Sequence, residues 1–189
     1  MSIANTIERI ETALSNLLLE YEYWFQLNDE ARKFVPSHGW GIEQILEHVT
    51  LTNHYLLILI RKGAAKAKEH SLKTDLADKL GSYACNLNVL DEIANRNTFK
   101  WTRPEHMEPR GERSIAEIRS LFINQLDECR EILHALRHGE GILYKTTMSV
   151  NNLGKIDVYQ YIYFLCLHAK RHLGQMKHVM SQYEGEMIP

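Results

Sequence analysis

Residues 157–183, DVYQYIYFLCLHAKRHLGQMKHVMSQY, repeat one pattern: Tyr161, Leu165, His168, His172, Gln175 and Val179 follow one another at steps of three and four. That spacing sets all of them on one face of an α-helix. Asp157, with Gln160 three places on, resembles a capped start in which the side chains satisfy free backbone N–H groups. The same periodicity recurs four more times along the chain.

The helix before it opens on Ser114-Ile115-Ala116-Glu117, a capping box, and turns Ile118, Phe122, Leu126, Cys129 and Leu133 inward before His138-Gly139 ends it. Further upstream, Leu72, Leu76, Leu80, Tyr83, Leu87, Leu90 and Ala94 predict a third helix. A second starts near Gly41, carries Ile42, Ile45, Val49, Tyr55, Leu56 and Leu59, and closes on Arg61, Lys62 and Gly63. The first runs from Ile3 through Ile7, Ile10, Leu14, Leu17, Leu18 and Tyr21 to Phe25 and about Leu27. Two long connections interrupt the series. Residues 96–113 contain Pro104, Pro109 and Gly111, and residues 139–155 include a stretch, 142–150, that can be briefly extended.

About five amphipathic helices must bury their stripes against one another, so the fold class is all-α with a four-helix bundle as core. Residues 1–189 form one domain by length, and no repeat or linker divides them. A hydrophobic share of 44% with 24% charged residues is that of a soluble globular protein. A formal net charge of −2 and the lack of a basic, aromatic-laced stripe argue against nucleic acid as a partner. No apolar run approaches the ~20 residues of a membrane span, and the charged N-terminus is no secretory signal. Three cysteines, Cys85, Cys129 and Cys166, are an odd number without metal or redox spacing, which suits buried thiols in a reducing, cytoplasmic setting.

Chemistry is to be sought among the ten histidines. Imidazoles at i and i+4 can share one metal ion, yet about half of one such pair is expected by chance at this histidine content. Two pairs occur. His134 lies off the apolar face and His138 in a last helical turn, where a histidine favours the negative end of the helix dipole. His168 and His172 instead sit on an inward stripe, where they require a partner: a metal or a hydrogen-bonded core network. His48, on the edge of the second helix's apolar face, is placed to complete a three-nitrogen set across the bundle, whereas His54 points about 240° away. Three neutral imidazoles with no fourth protein ligand make an open site for Zn²⁺, Ni²⁺ or Fe²⁺, with Cu²⁺ also compatible. A pocket between the second and fifth helices, roofed by both long loops, follows. Gln175 is placed to orient a ligand or bound water there, and Tyr55 and Tyr161 to offer hydroxyls, with core-and-rim packing as the plainer role for both. Glu47 points about 100° from His48 and is no candidate base.

Trp40-Gly41-Ile42-Glu43-Gln44-Ile45-Leu46-Glu47-His48-Val49 resembles the second-helix motif of the DinB/YfiT-like superfamily. Leu153-Gly154-Lys155, followed by His168-Ala169-Lys170-Arg171-His172-Leu173-Gly174-Gln175, resembles its C-terminal motif. The resemblance spans almost the whole chain. It implies an up-up-down-down four-helix bundle, a divalent metal on His48, His168 and His172, and a homodimer. It further implies a metal-dependent transferase using a low-molecular-weight thiol of the bacillithiol or mycothiol kind, or a metal-dependent hydrolase, acting on a small-molecule substrate. A non-catalytic metal- or small-molecule-binding bundle is the rival from another class. Gly41 departs from the expected serine or threonine cap, which weakens the start of the second helix.

Overall fold

The computed structural model describes residues 2–83, 86–95, 104–148, 150 and 153–186. It is mostly helical: α1 (Ile3–Phe25), α2 (Asp29–Lys33), α3 (Ile42–Ser71), α4 (Leu76–Ser82), α5 (Ile115–Ala135) and α6 (Val158–Glu186), with one antiparallel strand pair, β1 (Lys145–Met148) and β2 (Gly154–Asp157). The all-α expectation holds; β1 falls within the 142–150 stretch expected to be briefly extended, whereas β2, directly before α6, lies outside it. Both anticipated helix starts are present: Ser114 with Glu117 caps α5, and Asp157 with Gln160 caps α6.

The four long helices close a ring, α1 and α3 each packing on both α5 and α6. Their directions follow from named contacts. Arg9 meets Tyr163, and the Tyr21 hydroxyl donates to the Ala169 carbonyl at 2.8 Å, so α1 and α6 are parallel. His48 lies against His168 while Gly63 approaches Val158, so α3 and α6 are antiparallel. Gln125 donates to the Thr50 carbonyl and Arg61 pairs with Glu128, so α3 and α5 are parallel. Two neighbouring helices thus run up and two down, but in chain order the sense is up-down-down-up rather than up-up-down-down. The reason lies in the connections. Residues 26–41 make a short reversal around α2, whereas α3 ends at one end of the bundle and α5 starts at the other, beside the start of α3, with the Leu87–Ala94 segment between them packed on α6.

Two helix boundaries differ from the sequence reading. α3 does not stop at Gly63 but continues to Ser71. The glycine is there for contact: a Cβ on it would lie 3.2 Å from Val158 Cγ2, so its absence lets the start of α6 come close. The expected third helix over 72–94 is two pieces, α4 and a 3₁₀ helix at Leu87–Ala94. Leu87, Leu90 and Ile93, its buried residues, recur every three positions, which a 3₁₀ helix places on one side and an α-helix does not. Arg9 ties this segment to the bundle, donating to Asn88 and Asp91, with Tyr163 also donating to Asp91.

The core centres on Tyr21 stacked on Phe122 at 4.3 Å, with Phe25 beside them. Cys129 and Cys166 are buried in it as expected, and Cys85 lies outside the described residues. Burial pushes the Cys129 thiol up to about 12 and Cys166 well above its ordinary value. Neither offers a thiolate near neutrality. Brief alkylation with iodoacetamide at pH 8 is therefore expected to leave both unmodified in the native chain and to label both in denaturant, as peptide mass spectrometry would read. Among the described residues no helix is long and apolar enough to cross a membrane.

Candidate metal centre

The start of α3 is built to fix His48. Arg32 is buried and donates to Glu43 at 2.9 Å and to the Leu27 carbonyl, with Asp29 as a further partner, joining the α1–α3 connection to the first turn of α3. The Gly41 N–H donates to Gln44 Oε1 at 3.0 Å. The glycine departs from the capping pattern because there is no room for anything else: a Cβ at position 41 would lie 2.4 Å from the Phe34 carbonyl oxygen. Next to it, the Trp40 ring packs at 4.8 Å from the His48 ring.

Opposite, α6 presents His168 and His172 one turn apart, Nε2 to Nε2 3.2 Å. The His48 ring centre lies 5.5 Å from that of His168 and 4.9 Å from that of His172. One nitrogen from each imidazole can be chosen so that all three lie within 4.8 Å of one another. His48 and His168 are 5% and 2% exposed, and His172 is half-buried.

Hydrogen bonds settle which nitrogen is available. His48 Nδ1 lies 2.7 Å from the Met107 carbonyl, and an oxygen of that kind only accepts, so Nδ1 carries the proton. His172 Nδ1 likewise donates to Gln175 Oε1 at 2.9 Å. In the neutral form each of these residues then keeps a lone pair on Nε2. Burial, then the neighbouring His172, His48 and Arg171, hold His168 well below the usual histidine range, so it is neutral at pH 7. A lone pair on His172 Nε2 facing His168 Nε2 at 3.2 Å needs something positive between them, a shared proton or a cation. The donor set fits a metal ion: two nitrogens at about 2.0–2.1 Å from a tetrahedral zinc stand about 3.3 Å apart.

The sequence candidates are sorted by this geometry. His48, His168 and His172 come together, and Gln175 orients His172 from outside. His134 and His138 are exposed, as expected of the other pair, with Arg137 beside His134, and His54 is exposed against Tyr55. Tyr55 meets the ring of His106 edge-on at 4.4 Å and props the loop. Tyr161 does not offer its hydroxyl to the cluster, since that group donates to the Thr147 carbonyl at 2.9 Å within the fold. The expected two-loop roof is also half right. Residues 104–113 cover the site through Met107, but the described part of 139–155 packs at the far end of α3, Leu143 by His70 and Tyr144 by Gly63. Because α3 and α6 are antiparallel, the chain entering α6 lies about 20 Å or more along α3 from His48.

Sequence reasoning missed Met107 and the work of Glu47. Glu47 is 4% exposed and accepts from the Gly111 N–H at 2.8 Å, so it anchors the loop beside the site. The two prolines and Gly111 marked the loop, but nothing in the sequence gives the register by which it lies over α3.

A helical bundle with three imidazoles converging from facing helices defines the class, a bundle protein whose core could hold one metal ion. Residues 7–176 match the family model described as DinB superfamily, and the chain belongs to that superfamily. Comparison with curated proteins and with solved structures gave no match.

Proposed function

We propose that this chain is a divalent-metal-dependent enzyme that transfers a low-molecular-weight thiol to an electrophilic small molecule, with His48, His168 and His172 as the metal ligands. The observation that carries the reading is the convergence of three imidazoles, two of them with Nδ1 already donating and Nε2 left as a lone pair. Such a site, with positions to spare, supplies Lewis acidity that makes a thiolate available at neutral pH. The chain's own part is to hold these nitrogens rigidly, to shield them with Trp40 and Met107, and to admit the reactants on the His172 side.

Transfer is favoured over hydrolysis by the donor set. Among the described residues no carboxylate joins the three histidines as a ligand, and Glu47 is engaged by Gly111. A hydrolytic site of this kind gains from a general base beside the water, and among the described residues no carboxylate joins the three histidines to serve as one. In the transfer, the thiol loses its proton to solvent, a sulfur–carbon bond forms, and the carbon–halogen bond of the acceptor breaks with release of halide. The buried free thiols Cys129 and Cys166 suit a reducing compartment in which such thiols persist.

The test incubates Zn²⁺-, Ni²⁺- or Fe²⁺-loaded protein with bacillithiol, cysteine or glutathione and a chlorinated dinitrobenzene. The expected result is enzyme-dependent thiol consumption matched by chloride release, abolished by His168→Ala. Turnover of esters or amides without thiol would replace this reading by hydrolysis. Stoichiometric metal with no turnover of any of these would make the chain a binding module.

A further inference from the structure

Successive residues on an α-helix point about 100° apart and ordinarily serve different surroundings. Glu47 and His48 instead hold the same loop. His48 Nδ1–H donates to the Met107 carbonyl at 2.7 Å, and the Gly111 N–H donates to Glu47 Oε2 at 2.8 Å. Gly111 has φ +70, the left-handed region that turns its N–H toward α3 and that glycine alone adopts readily. Thr52, one turn on, directs its hydroxyl at Met107 Sδ at 3.8 Å, and Tyr55 packs on His106. The loop is thus fastened along one edge of α3, and one of its fastenings passes through an imidazole of the candidate metal set.

We infer that Glu47 is a positioning residue for the metal centre and that docking of the 104–111 loop and metal binding are coupled. The inference rests on the metal reading of the three histidines. Its physics is that of an outer partner. A cation on His48 Nε2 makes Nδ1–H more acidic and strengthens its bond to the Met107 carbonyl, and that carbonyl holds the ring in the ligating tautomer. A carboxylate accepting from a backbone N–H forms a charge-assisted bond, so Glu47 keeps the loop where Met107 can reach His48. Coupling between two binding events is reciprocal: whatever the loop gives the metal, the metal returns to the loop.

The experiment uses the full chain, Zn²⁺ as the probe, and two variants that break the same fastening from opposite sides. Glu47→Gln keeps the shape and removes the charge. Gly111→Ala leaves α3 untouched, has open space for its Cβ, and opposes the φ +70 backbone. Zinc affinity is read by competition with a chromophoric chelator. Loop docking is read by limited trypsin cleavage at the exposed Arg110 and Arg113, followed by mass spectrometry with and without Zn²⁺. Zinc is expected to slow cleavage at these two sites in the wild type, and both variants are expected to bind zinc about 10–100-fold more weakly and to be cleaved faster. Unchanged zinc affinity in both variants, or wild-type cleavage indifferent to zinc that does bind through His168, overturns the coupling and leaves the metal reading standing. Zinc that the wild type does not bind, or binds equally well after His168→Ala, overturns both. If a variant fails to fold, as circular dichroism would show, the zinc dependence of wild-type cleavage still decides.

Discussion

Substituting His168 by alanine is expected to abolish stoichiometric metal binding and, with it, the metal-dependent part of the protein's thermal stability. The expectation follows from where the residue sits. His168 is 2% exposed, and its Nε2 lies 3.2 Å from that of His172, so it supplies the deeply buried nitrogen of the cluster. Without it, one imidazole from α3 faces one from α6, and two nitrogens are left where three converged. Binding to the native state alone stabilises by about 4 kcal/mol when free metal stands at 1,000 times Kd. For a chain of this length each kcal/mol moves Tm by about 2–4 °C, so the wild type should gain on the order of 8–16 °C on adding metal. The variant should gain almost nothing. Elemental analysis of the purified proteins and melting curves with and without metal check this, and a variant whose Tm still rises with metal would remove His168 from the site.

Gly41→Ser should destabilise the protein, although the ordinary rule for helix starts says the reverse. Serine at an N-cap improves on glycine by only a few tenths of a kcal/mol. At this position a Cβ would meet the Phe34 carbonyl oxygen at 2.4 Å and Val35 Cγ2 at 3.2 Å. The first contact is with the backbone of Phe34, whose N–H donates to the Glu30 carbonyl and whose ring packs on Tyr183, so it has no easy way to yield. Overpacking of this kind costs about 1–3 kcal/mol and exceeds the capping gain several-fold. A melting temperature lower by about 2–12 °C is expected from the same per-kcal shift. Since Trp40 packs on His48, the displacement should reach the metal ligands, and a chelator competition would show weaker binding. A variant as stable as the wild type would mean the α1–α3 connection can move.

These two substitutions also mark what the sequence could and could not disclose. Periodicity of three and four, with caps at Ser114 and Asp157, is local physics, and it placed α1, α5 and α6 within a few residues. It failed where tertiary contact decides. Gly63 looks like a helix stop until Val158 is found against it, and Gly41 looks like a poor cap until Phe34 is found behind it. The 72–94 stretch carried both a four-step and a three-step pattern, and only packing on α6, with the Arg9 bonds from α1, selects the 3₁₀ form of its second half. The histidines were legible because i, i+4 spacing on a buried stripe is itself a geometric statement. His48 joined them through chain position and resemblance. Met107 enters the site by a backbone carbonyl, and a carbonyl has no residue type by which a sequence could announce it.

The antiparallel meeting of α3 and α6 has a further bearing on how the centre comes into being. Its ligands stand about 120 positions apart in the chain, so the site is a contact of very high sequence separation, closed only when α6 docks on α3. During synthesis the emerging chain would carry His48 exposed well before the pair on α6 appears. A metal captured by all three nitrogens would then act as a latch on a finished bundle, loading late and slowing the unwinding of α6 from α3 more than it hastens folding.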